Sequence, residues 1–132
     1  MLTLLLAFTP ESPPAKEPSF VIRRPTVIAF FPPVTKKDLK SDESLNESLG
    51  DFQIYAKQAR DRLAKMGITF ESVYARAFRL RVGTKVITFR PGAEDVGYYF
   101  IAPGKTPRIE YGVATDDDLA LLSTQYFGIP ER

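Results

Sequence analysis

The apolar positions fall into three periods. Thr26-Val27-Ile28-Ala29-Phe30-Phe31 is an unbroken apolar run with β-branched residues, closed by Pro25 before it and Pro32-Pro33 after it. A run of that length predicts a strand buried on both faces, in the middle of a sheet with helices over it. From Leu45 the period changes. Leu45, Leu49, Phe52, Ala56, Ala59, Leu63 and Met66 recur at spacings of 4, 3, 4, 3, 4 and 3. This is one stripe along a helix from about Ser44 to Met66. Ser44 and Glu47 have capping-box spacing, Gly67 supplies a left-handed stop, and Gly50 argues for a start nearer Asp51. Beyond the helix the period falls to two. Phe78, Leu80 and Val82 alternate with Arg79 and Arg81, then Gly83-Thr84 turns the chain into Lys85–Arg90. That predicts a hairpin with one apolar and one basic face.

The remaining elements follow from shorter signals. Ile68–Tyr74 reads as a strand directly after the helix, so strand, helix and strand form a parallel βαβ unit. Phe20-Val21-Ile22 reads as a short edge strand, and 32–42 as a polar loop. Val96–Ala102, the turn Pro103-Gly104-Lys105 and the return strand Thr106–Gly112 form a second hairpin. Thr115 then caps a closing helix that opens with Asp116-Asp117-Asp118.

The fold class is therefore α/β or α+β: a mixed sheet around a parallel βαβ unit, with flanking helices and a C-terminal hairpin. Residues 20–132 form one domain. Residues 1–19 form a leader and linker, since Met1–Phe8 is apolar and four prolines follow between positions 9 and 19. The apolar stretch is too short to span a bilayer. An export signal lacking its basic start and an N-terminal packing segment both fit it, which leaves periplasmic, secreted and cytoplasmic locations open.

Composition narrows the chemistry mainly by exclusion. The 132 residues contain no cysteine, histidine or tryptophan. Dithiol redox chemistry, thiolate metal sites, a cysteine nucleophile and histidine general-base catalysis are excluded together. No cofactor is expected. Glu71, Glu94, Asp95 and Glu110 are the carboxylates available for acid–base work, and nothing in their spacing pairs them; an enzyme is the least favoured function. Eighteen basic and sixteen acidic residues leave a net charge of +2, too even to predict nucleic-acid binding for the whole chain.

The element order resembles the thioredoxin-like fold. Tyr98-Tyr99-Phe100-Ile101-Ala102-Pro103-Gly104-Lys105 is similar to that family's penultimate strand and turn. Tyr111–Leu119 is similar to its last strand, running through a glycine into a capped final helix. Thr26–Phe31 with the long helix resembles the strand and helix that flank the family's redox site. Where the family carries its two cysteines, this chain has Pro32-Pro33-Val34-Thr35-Lys36-Lys37; where the family has a cis-proline, it has Val96-Gly97; and a basic hairpin stands where the family usually has a helix. The resemblance implies a scaffold without dithiol activity.

Two binding readings follow. The first is a protein or peptide partner, met by Pro32, Pro33, Lys36 and Lys37 in the loop after the central strand and by a sheet edge near Gly97. The second is an anion or single-stranded nucleic acid, met by Arg76, Arg79, Arg81, Lys85 and Arg90 with Tyr74, Phe78 and Phe89 as stacking partners. Its bland counterpart is a solvated basic face that keeps an edge strand from aggregating. The aspartate run fits helix capping better than a cation site.

Overall fold

Strand β2, Thr26–Phe31, is buried at all six positions. The structure, a computed structural model, describes residues 17–130. Residues 1–16 of the leader and linker expected at 1–19 lie outside them. β2 pairs in parallel with β3 (Thr69–Tyr74), from Thr26 opposite Thr69 to Phe31 opposite Tyr74. On its other edge it pairs antiparallel with β6 (Gly97–Ile101), and β6 pairs with β7 (Arg108–Tyr111). The four-stranded sheet thus runs β3–β2–β6–β7.

Alternate residues of β2 enter different cores. Val27, Ala29 and Phe31 face a helical layer. That layer is α2 (Glu43–Ala64), through Phe52, Ala56, Ala59 and Leu63, with α3 (Asp116–Phe127) through Leu119, Ala120 and Phe127. Ile28 and Phe30 face the opposite way, onto Phe78, Leu80, Ile22 and Tyr99. Helices do not cover this second face, contrary to the reading of β2. A second sheet does, in the order β1 (Ser19–Val21), β4 (Phe78–Val82), β5 (Lys85–Phe89). The physical reason is the period-two pattern of the hairpin. Its apolar face must leave water, and among the described residues the back of the central sheet is the apolar surface it meets. Aromatic rings fill the gap, with Phe30 at 5.2 Å from Phe89 and Phe89 at 4.9 Å from Tyr99.

The segment read as a polar loop contains a helix, α1 (Lys36–Ser41), with a reciprocal capping box between Thr35 and Asp38 at 3.1 Å in each direction. Asp42 ends α1 and caps α2, accepting from the Leu45 N–H at 3.0 Å. Ser44 and Glu47 therefore do not form the cap, and α2 runs through Gly50 without a break. A glycine there costs about 1 kcal/mol, less than the buried stripe around it supplies. Gly67 takes φ 78° after the helix, as expected. Glu17 and Pro18, read as linker, join the fold: the Pro18 carbonyl accepts from Arg79 N–H, and Glu17 pairs with two arginines. No helix among the described residues is long and apolar enough to cross a membrane.

Candidate functional site

The parallel strands β2 and β3 end side by side at Phe31 and Tyr74. Pro32 and Pro33 follow β2, and neither carries an N–H to extend the ladder. The chain after β3 is Ala75-Arg76-Ala77, where Ala77 is buried and Arg76 exposed. These segments open a cleft of about 410 Å³ lined by Glu17, Pro18, Pro33, Tyr74, Ala75, Arg76 and Ala77. A smaller recess of about 140 Å³ adjoins it, sharing Pro33, Ala75 and Arg76 and adding Pro32, Gly92 and Asp95. This is the carboxyl end of the parallel pair, where open α/β sheets offer their binding crevice.

The Tyr74 ring is held on one side and wet on the other. It packs 5.9 Å from Phe52 and 6.3 Å from Phe31, yet Tyr74 remains 42% exposed. Among the described residues Arg76 has no carboxylate partner. The two acids at the rim are already engaged. Glu17 bridges Arg79 Nε at 3.3 Å and Arg90 Nη1 at 3.2 Å. Asp95 accepts from the Gly92 N–H at 2.9 Å and fixes the turn there. Among the described residues the cleft therefore offers a fixed aromatic surface, proline walls and a guanidinium without a carboxylate partner, a combination suited to an apolar group beside a carboxylate.

The structure brings together only part of what the sequence suggested. Pro32 and Pro33 line the cleft. Lys36 and Lys37 do not; they sit exposed at the start of α1. Gly97 is not at a sheet edge. It lies on β6, inside the sheet, opposite Phe30 on one side and Tyr111 on the other. A Cβ there would come within 2.4 Å of the Glu110 carbonyl oxygen, so the glycine serves close strand packing.

The five basic residues separate into three places. Arg79 and Arg81 project from the outer face of the small sheet, in rows with Thr88 and Val86. Arg90 joins Arg79 through Glu17. Arg76 belongs to the cleft, and Lys85 lies at the far end of the hairpin beside Lys105. A five-residue strand, about 17 Å, separates the two ends. Of the proposed stacking partners Phe78 is buried, Phe89 is partly buried and Tyr74 alone is exposed, at less than half of its surface. Glu17, Tyr74 and Arg76 are cleft residues that the partner reading lacked; Tyr74 and Arg76 stand in the anion reading instead. An aromatic at a strand end before a small-residue connection was the available signal for Tyr74; Glu17 had none.

The aspartate run behaves as a helix start. Thr115 Oγ1 accepts from the Asp118 N–H at 3.2 Å, and Asp116 and Asp117 pair with Arg62 of α2. Glu110 accepts from the Tyr126 hydroxyl, which pushes the Tyr126 pKa up, with burial adding to the rise. Arg108, 5.1 Å above the same ring, opposes it. Burial also raises Tyr98, an effect offset in part by the bond to Ala114. Among the described residues no three acidic side chains gather as a metal site. No protein-family model, no curated protein and no solved structure matches the chain.

Proposed function

We propose that the chain is a non-catalytic thioredoxin-like domain that binds a segment of a protein partner in the cleft beside Pro33, Tyr74 and Arg76. One observation carries the binding reading: an exposed aromatic ring and a guanidinium that has no carboxylate partner among the described residues share a cleft at the carboxyl ends of two parallel strands. The scaffold reading is supported by the parallel βαβ unit, the antiparallel β6–β7 hairpin on the other edge of β2, and α3 on the same face as α2. The absence of cysteine removes dithiol exchange from such a scaffold.

The segment that fits pairs an apolar side chain, laid on Tyr74 and Pro33, with a carboxylate for Arg76. An array of blocked peptides carrying an apolar residue next to glutamate, set against the same peptides with lysine, tests this. Glutamate peptides should bind, Arg76→Glu should reverse the charge preference, and Tyr74→Ala should weaken binding by about 10-fold. Binding indifferent to both substitutions would sink the proposal.

A further inference from the structure

The small sheet is one strand narrower than the sheet it covers. β1 lies along β3, since Ser19–Ile22 share a groove with Thr69 and Glu71. β5 lies over β6, through the Phe89–Tyr99 contact. Among the described residues no strand covers the corresponding face of β7. That face carries the partly buried Ile109 and Tyr111, which is 60% exposed.

Among the described residues no strand pairs with the outer edge of β5, and the polarity of that edge follows from the hairpin. Val82 and Lys85 flank a two-residue turn and form a hydrogen-bonded pair. By alternation Leu80–Ile87 and Phe78–Phe89 are hydrogen-bonded too, while Arg79 and Arg81 turn their backbone groups away from β5. The bonds from Arg79 N–H to the Pro18 carbonyl and from Ile22 N–H to the Arg81 carbonyl, both 2.8 Å, agree. Val86 and Thr88 therefore present their N–H and C=O groups to the open edge.

We propose that β5 accepts an extended segment of a partner protein as a fourth strand, and that this segment alternates apolar and acidic residues. Side chains opposite Ile87 and Phe89 would face inward and cover Ile109 and Tyr111. Side chains beside Val86 and Thr88 would face outward, across β5 from Arg81 and Arg79 at two strand spacings, about 10 Å, which a long arginine and a glutamate can span together. Arg81 has no carboxylate partner among the described residues. At the end of the edge, Lys85 and Lys105 flank a cleft of about 400 Å³ floored by Val82, Ile87 and Ile101. Both lysines are exposed and lack a carboxylate among the described residues. Backbone pairing supplies affinity in strand addition and the alternating side chains supply selectivity. A second copy of β5 would add another basic β4 face about 14 Å beyond the first, three strand spacings away, and would bring no carboxylate to Arg81. This surface shares no lining residue with the Tyr74–Arg76 cleft, so it stands apart from the function proposed above.

The probe is a blocked seven-residue peptide of alternating valine and glutamate, titrated into the full chain by NMR and calorimetry. Binding should shift the Val86, Thr88 and Tyr111 amides. N-methylation of one alternating set of peptide amides should weaken binding at least about 10-fold, and methylation of the other set should leave it within about 2-fold. Thr88→Pro removes a donor that faces solvent, so the chain should keep its melting temperature and lose about 10-fold in affinity. The valine–lysine peptide should not bind. Equal tolerance of both methylation patterns, or no binding at millimolar peptide, would overturn the proposal. So would a concentration-dependent dimer that Thr88→Pro dissolves, which would give the edge to a second copy.

Discussion

Replacing Gly97 with alanine should destabilise the protein by about 2–3 kcal/mol. The added Cβ would lie 2.4 Å from the Glu110 carbonyl oxygen, 3.0 Å from Phe30 Cζ and 3.0 Å from Tyr111 Cα. Two of these three atoms belong to the backbone of β7, which cannot swing aside as a side chain can. Relief requires moving β7 away from β6 and stretching the ladder, or driving Phe30 back into the ring cluster with Phe78 and Phe89. Overpacking of this kind costs about 1–3 kcal/mol, and weakening one ladder bond adds about 1. The stiffer unfolded chain returns about 0.4–1 kcal/mol. The matched control is Gly50→Ala, where a Cβ would meet nothing within 4 Å at a half-buried position of α2. That change should stabilise by about 0.5–1 kcal/mol. Urea unfolding followed by circular dichroism reads both, with equal m-values as the check that the unfolded states are comparable. The Gly97 variant should also melt roughly 10 °C lower. A loss below about 0.5 kcal/mol would refute the packing account and reopen Gly97 as a position kept for binding.

Three further outcomes are expected. Tyr98→Phe removes a hydroxyl that accepts from Ala114 N–H at 3.0 Å and donates to the Ala114 carbonyl at 3.3 Å, so urea unfolding should show a loss of about 1–3 kcal/mol. Burial raises the Tyr98 and Tyr99 pKa values above the ordinary 10.0, so the folded state holds their protons more tightly than the unfolded chain does. Their contribution is complete below pH 10.0 and falls as pH rises through the folded values; stability should decline there, more steeply in the wild type than in Tyr98→Phe, and a flat profile would contradict the burial argument. Single-stranded oligonucleotides should bind only at low salt, because the basic residues are dispersed and Arg79 and Arg90 already share Glu17; micromolar binding that persists at physiological salt would restore the hairpin as a nucleic-acid surface.

Much of the fold was legible along the chain, because local periodicity records which side of an element leaves water. The stripe from Leu45 to Met66 located α2, and the alternation at Phe78–Val82 located the hairpin together with its inner and outer faces. The Thr115 cap and the glycine after α2 were equally local. The boundary at α1 was lost because two capping patterns, Thr35 with Asp38 and Ser44 with Glu47, lie nine residues apart, and their spacing does not say which backbone amides are exposed.

What the sequence by itself determined is the set of elements apart from α1, the apolar face of each, and the absence of thiol and imidazole chemistry. What only the tertiary structure decided is which faces meet. Phe30 and Phe31 are adjacent and equally apolar, yet one enters the aromatic layer under β4 and β5 and the other the helical core. Gly97 looked like an edge residue and is an interior one, because strand order depends on pairings between segments far apart in the chain. The cleft residues Glu17, Pro33 and Arg76 are distant in sequence and adjacent only after β1 pairs with β4 and β3 with β2. Hydrophobic burial is non-directional, so a pattern of apolar positions states that a face must be covered without naming what covers it. Register, steric fit and hydrogen-bond satisfaction make that choice, and they exist only in the assembled fold.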